Sequence, residues 1–131
     1  MLMVRHVMLR DVITTKPKTS MKAAIKMLHK KHIGSLVITD SHQKCIGIFT
    51  ERDVIRLVAQ GVNLDTPIEE AMTSNVITIE EEASLEEARR LIVEHAVRHL
   101  PVVNDQGELV GLLSVRKLLD EFFGLLSSKY C

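Results

Sequence analysis

Tryptophan is absent from the 131 residues, tyrosine occurs once and phenylalanine three times. So little aromatic surface argues against a module that holds single-stranded nucleic acid by stacking its bases. Cysteine is scarce as well: Cys45 lies in an apolar run and Cys131 at the last position, too few and too unlike in setting for a disulfide framework or a metal knuckle. A reducing, cytoplasmic setting is the expectation. Excess charge of either sign is missing too, with Lys plus Arg and Asp plus Glu at 17 each, so no overall field gathers nucleic acid or an anionic membrane. No apolar run approaches the length that crosses a bilayer, and the opening MLMVRHVMLRD is broken by Arg5, His6 and Arg10, unlike the core of a secretion signal. A soluble, unprocessed chain with no membrane partner is expected.

What is present is a repeat. Laid on itself with Met8 on Met72, an offset of 64 residues, the chain aligns without a gap: Val12-Ile13-Thr14 on Val76-Ile77-Thr78, Ser20 on Ser84, Ala24 on Ala88, Leu36 on Leu100, Gly47 on Gly111 and Arg52 on Arg116. A period this long, present twice, argues for two similar halves rather than a solenoid. Each half opens with a short β-rich piece, VITT or VITI. A Ser and a helical pattern follow, with apolar residues at Met21, Ala24, Ile25 and Leu28, or at Leu85, Ala88, Leu91 and Ile92. Next come two apolar runs, SLVIT and CIGIFT or LPVVN and LVGLLS, separated by the turn residues DSHQK or NDQGE. A second helix is predicted from Thr50 or Ser114, its inner face carrying Val54, Ile55, Leu57 and Val58, or Leu118, Leu119, Phe122 and Phe123. The order is βαββα, twice, an α+β fold with halves expected at 4–62 and 68–126.

The chemistry of the chain is concentrated where the copies differ. GIFTERD ends in Asp53, and its counterpart GLLSVRK ends in Lys117. Thr50 followed three residues later by an acid resembles a capping box, which alone would account for TERD. Ser114 keeps the hydroxyl while Lys117 replaces the acid, so the helix can start without a carboxylate and Asp53 has room for another task. A carboxylate can accept two hydrogen bonds from a vicinal diol, as in ribose, whereas lysine has only donors. Gly47 and Gly111 sit inside strands, and two explanations stand side by side: a bulge, or something that must approach the backbone closely. On the residues alone, Arg98 and His99 read as the solvated end of a helix, favourable at its negative pole, rather than as phosphate donors.

These features together resemble a pair of CBS domains, the small modules named after cystathionine β-synthase. The likeness runs from about Val4 to about Gly124 and rests on VITT, SMKAAIKML, GSLVITD and CIGIFTERDVI with VITI, SLEEARRLI, VRHLPVVN and LVGLLSVRKLL. It implies two sheets packed about a pseudo-twofold axis, with two clefts that in relatives hold AMP, ADP, ATP or S-adenosylmethionine. Carried over residue by residue, one nucleotide cleft would join Thr50, Arg52 and Asp53 to Val97 beside the base, Arg98 and His99 near the phosphates, and Pro101. The other would join Ser114, Arg116 and Lys117 to Ile33, Gly34 and Ser35, lacking both the ribose acid and the basic pair, and would be empty, weaker or differently selective. The resemblance implies a stand-alone regulatory module that senses an adenine nucleotide and reports it to an unknown effector protein.

The alternatives are a dimerising scaffold without a ligand, an S-adenosylmethionine binder, and a nucleic-acid binder using Lys16, Lys18, Lys22 and Lys26. The neutral net charge speaks against the last. No phosphate loop, G-x-S-x-G elbow or C-x-x-C is present, so no catalytic residue or catalytic cofactor is expected. The histidines of HKKH and EHAVRH lack a third ligand nearby, so no metal is expected. Lys16, Lys18, Lys22 and Lys30 align with Glu80, Glu82, Glu86 and Glu94, which favours a homodimer that sets unlike halves together, head to tail.

Overall fold

The helices of the two repeats start in the same way. Ser20 Oγ accepts the Ala23 amide at 3.1 Å and Ser84 Oγ accepts the Glu87 amide at 3.1 Å, opening α2 (Met21–Lys31) and α4 (Leu85–His95). Each satisfies one of the amides that a helix N-terminus leaves unpaired. Both helices end on a residue in the left-handed region, His32 at φ 56° and Ala96 at φ 52°. The computed structural model describes residues 2–123. Besides α2 and α4 it holds α1 (Val4–Val7), β1 (Thr14–Thr15), β2 (Ser35–Thr39), β3 (Cys45–Thr50), α3 (Glu51–Gln60), β4 (Ile79–Glu80), β5 (His99–Val103), β6 (Leu109–Ser114) and α5 (Val115–Phe123). Residues 124–126, expected at the end of the second half, and Cys131 lie outside the described residues.

The strands form two three-stranded sheets, β1-β2-β3 and β4-β5-β6. In each, the short first strand runs parallel to the second, and the second and third form an antiparallel hairpin. The hairpin turns are built alike. Asp40 Oδ1 accepts the amides of His42 and Lys44 at 2.8 and 3.0 Å, and Asn104 Oδ1 accepts those of Gln106 and Glu108 at 3.0 and 2.9 Å. Such Asx turns leave one residue in the left-handed region, here Gln43 and Gly107. The two amides also hold the Asp40 carboxyl below its usual range, the Lys44 bond most strongly.

The compact units do not follow the sequence repeats. One unit joins the N-terminal residues through Val12 to the segment from Ile77 onward, and the other is Ile13–Val76. In the first, Val4 and Val7 of α1 are buried with Ile79, Leu85, Ala88, Ile92, Leu100, Leu113 and Leu118. The Val4 and Arg5 amides donate to Ala83 and Glu81 carbonyls at 2.8 and 2.9 Å. In the second unit, Met21, Ala24, Leu28, Leu36, Ile38, Phe49 and Leu57 close over Ile68 and Ala71 of the segment after α3.

Those same segments account for the strand glycines. Leu9 exchanges two 2.9 Å hydrogen bonds with Leu112 of β6, and Thr73 exchanges bonds of 3.0 and 3.1 Å with Ile48 of β3. The bridges lay Met8 over Gly111 and Met72 over Gly47. A Cβ at Gly47 would fall 2.2 Å from Met72 Sδ, and one at Gly111 would fall 2.4 Å from Met8 Sδ. What approaches these backbones is therefore a methionine of the same unit. A bulge is present too, since the register slips between Ile38 and Thr39 and between Val102 and Val103, opposite each glycine.

One sequence expectation is corrected here. Of the inner face expected for α3, Leu57 is buried and Val54 half-buried, but Ile55 and Val58 are 71% and 65% exposed. In α5, Leu118 is buried while Leu119 and Phe122 are 44% and 41% exposed; the Phe123 side chain lies outside the described set. The cause is geometric. At about 100° per residue, positions 54, 55, 57 and 58 span an arc of about 160°, wider than a single contact with one sheet covers. The opposed charges also prove less available than the sequence suggests: Lys18 pairs with Glu69, Lys16 donates to Thr39 Oγ1 and the Asp40 carbonyl, and Glu86 and Glu94 pair with Arg89 and Arg90 of their own helix.

Candidate functional site

Each repeat joins its third strand to its second helix without a loop, and the candidate residues gather at that junction. In the unit holding the first repeat, Ser35 opens β2 opposite Thr50 at the end of β3, and the Gly34 carbonyl accepts the Glu51 amide at 3.1 Å. Ile33, Gly34, Ser35, Thr50, Arg52 and Asp53 are thereby brought together around the start of α3. The other unit repeats the arrangement: His99 stands opposite Ser114, and the Arg98 carbonyl accepts the Val115 amide at 2.8 Å. Val97, Arg98, His99, Ser114, Arg116 and Lys117 thus surround the start of α5. The left-handed residues His32 and Ala96 turn the chain out of α2 and α4 into these junctions.

The first junction contains a complete capping box. The Thr50 amide donates to Asp53 Oδ2 at 2.9 Å, and Asp53 N donates to Thr50 Oγ1 at 3.4 Å. The Thr50 hydroxyl lies 3.3 Å from the same carboxylate oxygen. The other oxygen, Oδ1, has one long contact, Arg56 Nη2 at 3.5 Å; the Arg56 side chain is held by a 3.1 Å bond to the Ala71 carbonyl. The carboxylate is only 15% exposed. Two lone pairs per oxygen leave Oδ1 with accepting capacity, so the capping role and a diol-binding role are compatible.

The second junction is built differently. Ser114 Oγ accepts the Lys117 amide at 3.2 Å, so the hydroxyl cap persists without an acid. Lys117 is exposed, as are Arg98 and Arg116, while His99 is half-buried. Val97 packs against the core of its unit. Pro101, in the middle of β5, is fully buried, so it shapes the strand and offers no surface. Ile33 packs on the core of the other unit, and Ser35 is 6% exposed.

Sequence reasoning missed Arg56 and its counterpart Asp120. The signal was in the alignment, since Asp53 and Arg56 become Lys117 and Asp120, a reversal of both charges in register. Nor did it find the segments around Met8 and Met72, although the alignment of both methionines and both glycines pointed to paired contacts. Among the described residues, no group of three His, Cys, Asp or Glu side chains could hold a metal ion, and no helix is long and apolar enough to cross a membrane. The Cys45 thiol is pushed up by burial, away from thiolate chemistry.

Comparison with known proteins adds the following. The model of the CBS domain matches this chain twice, over residues 4–60 and 62–124. An uncharacterised protein of Methanopyrus kandleri is 44% identical over 114 residues, 84% of this chain. The chain spans 57% to 65% of the length of the first curated relatives it matches. The CBS domain pair of protein MJ0100, solved with 5′-methylthioadenosine and S-adenosyl-L-methionine, is similar at a TM-score of 0.86 and 31% identity, over 94% of this chain and 97% of that one. A CBS domain protein of Pyrobaculum aerophilum, solved with AMP, is similar at 0.85 and 27% identity, over 98% of this chain and 95% of that one.

Proposed function

We propose, from the premise that this chain belongs to the CBS domain family, that it is a non-catalytic regulatory module whose ligand is an adenine nucleotide. The observation that carries this reading is the Asp53 carboxylate, mostly enclosed at the start of α3 yet with accepting capacity on Oδ1. A ribose diol donates two hydrogen bonds to such a group, and a charged acceptor makes them strong. The relatives solved with AMP and with S-adenosylmethionine compounds support the adenosine moiety. In this reading Thr50 and Asp53 hold the ribose, with Arg52 beside them.

A thermal-shift titration of the full chain with AMP, ADP, ATP, S-adenosylmethionine and adenosine tests the reading. A ligand at about 100 times its Kd stabilises the folded state by about 2.7 kcal/mol, which raises the melting temperature by several degrees. AMP, ADP or ATP ranking above adenosine is the expected result. Equal shifts with adenosine would remove the phosphate from the reading, and S-adenosylmethionine ranking first would replace the nucleotide. No shift with any of the five would sink it in favour of a ligand-free scaffold.

The ligand acts on an effector protein only through a difference in affinity between the free and bound states of the module. Self-association is part of the same reading. Ile55 and Val58 expose a contiguous apolar strip on α3 that suits a second copy of the chain. Light scattering should give a dimer mass for the wild type and a monomer mass for Val58→Lys; a monomeric wild type would exclude the dimer.

A further inference from the structure

Arg56 ties the start of α3 to the segment that follows that helix. Its guanidinium donates to the Ala71 carbonyl at 3.1 Å and stands 3.5 Å from Asp53 Oδ1. Ala71 is buried in the core of this unit, and the next two residues are fixed to β3: Met72 lies over Gly47, and Thr73 exchanges backbone hydrogen bonds with Ile48. All of these residues belong to one unit. In the other unit the same link cannot form. The counterparts of Asp53 and Arg56 are Lys117 and Asp120, and a carboxylate has no donor to offer a carbonyl. There Val7, the counterpart of Ala71, and Lys117 border a cavity of about 340 Å³ together with Met8, Leu9, Leu112 and Ser114.

We infer that Arg56 is a positioning residue that acts as a latch: it occupies one acceptor site of Asp53 that a ribose diol requires, and surrender of that site is passed to residues 71–73. An ionised carboxylate offers about four lone-pair sites, two on each oxygen. On Oδ2 both are taken, by the Thr50 amide at 2.9 Å and the Thr50 hydroxyl at 3.3 Å. On Oδ1 one faces Arg56 and the other is open. A diol that donates two hydrogen bonds to this group therefore needs the place that Arg56 holds. The ion pair is weak enough to yield, being long and made by a guanidinium that is 43% exposed. Once released from the acid, the guanidinium remains bonded to the Ala71 carbonyl, so its displacement is felt first at residues 71–73 and at their pairing with β3. This rests on Asp53 as the ribose acceptor and adds to it a route by which occupancy of the first junction is felt outside that junction.

The test uses the full chain with isotope-labelled methionine methyl groups, together with calorimetric titration of AMP. Met72 reports on residues 71–73, and Met8, packed on Gly111 in the other unit, is the control. Asp53→Asn keeps an acceptor for the Thr50 amide but turns an amide nitrogen toward Arg56. Before any ligand is added it should displace the Met72 signal from its wild-type position, as should Arg56→Ala, with Met8 unmoved in both. AMP should displace Met72 in the wild type. Arg56→Ala should bind AMP about twofold more tightly than the wild type, the gain from removing a competing exposed pair, and its Met72 response to AMP should be largely lost. A merely structural Arg56 would weaken binding instead. The inference is overturned if Met72 stays in place in Asp53→Asn, if Met8 moves as far as Met72 in the variants, if Arg56→Ala binds AMP more weakly, or if AMP moves Met72 equally in Arg56→Ala and the wild type. A displaced Met72 in Asp53→Asn with no binding of AMP to the wild type would support the link from Asp53 through Arg56 to residues 71–73 and refute the nucleotide reading.

Discussion

Gly111→Ala should destabilise the folded chain by about 2–3 kcal/mol, and Gly47→Ala by clearly less, near 1 kcal/mol. The new methyl group at position 111 would lie 2.4 Å from Met8 Sδ, 2.9 Å from Met8 Cγ and 3.0 Å from the Leu9 carbonyl oxygen. That carbonyl is held by its hydrogen bond from Leu112, so relief requires moving backbone that is part of the sheet edge. At position 47 the three nearest atoms, at 2.2, 2.8 and 3.0 Å, are all in the Met72 side chain. A methionine has three rotatable side-chain bonds and can swing aside at the loss of its own packing. Denaturant unfolding of the single and double variants provides the check. Met72→Ala should recover most of the loss in Gly47→Ala, whereas Met8→Ala should recover only part of the loss in Gly111→Ala. Equal losses at the two glycines, or full recovery in both pairs, would show that the Leu9 backbone contact is unimportant.

Replacement of Asp53 should have the largest effect on ligand binding. Asp53→Ala removes the acceptor of the Thr50 amide, a loss of about 1 kcal/mol in stability typical of a capping residue. It also removes a charged acceptor, for which hydrogen bonds contribute about 1.5–3 kcal/mol, so affinity for an adenine nucleotide should fall by about 10- to 100-fold. Asp53→Asn separates the two roles. Its amide oxygen can still accept the Thr50 amide, so its melting temperature without ligand should stay close to that of the wild type. It keeps only one acceptor atom and no charge, so its affinity should fall nearly as far as in the alanine variant. If Asp53→Asn binds like the wild type in calorimetric titration, the carboxylate is a helix cap and nothing more.

The second repeat shows that helix initiation at this junction does not require the acid. Ser114 caps α5 through the Lys117 amide with no acid three residues on. Position 53 is thus free to carry a carboxylate for a reason other than helix initiation, while position 117 carries a cation that the helix does not require. The reversed pair at positions 56 and 120 reinforces the difference, since Arg56 faces Asp53 at 3.5 Å while Asp120 lines a recess with Lys117.

Much of this was legible in the chain itself, because the relevant interactions are short in sequence. Ser20 and Ser84 meet amides three residues ahead, as do Thr50 and Ser114. Asp40 and Asn104 close their turns on amides two and four residues ahead. The strand order within each repeat follows from a hairpin and a helical crossover, which leave few topologies open. Contacts such as Met8 with Gly111, or Arg56 with the Ala71 carbonyl, were not legible in this way. They join residues that no local pattern relates, and the alignment of the repeats showed only that such residues recur together.

The sequence alone therefore determined the two βαββα copies, their caps and turns, and the exchange of an acid for a base at the start of the second helix. Tertiary structure decided which segment completes which copy: the N-terminal residues close over β6 and the residues after α3 close over β3. It also decided that Ile55 and Val58 stay exposed while Leu57 is buried, because hydrophobic periodicity records that a stripe is apolar but only packing selects the side that is covered. The cavity beside Lys117 exists for the same reason, since its walls come from both ends of the chain and meet only when the N-terminal segment pairs with β6.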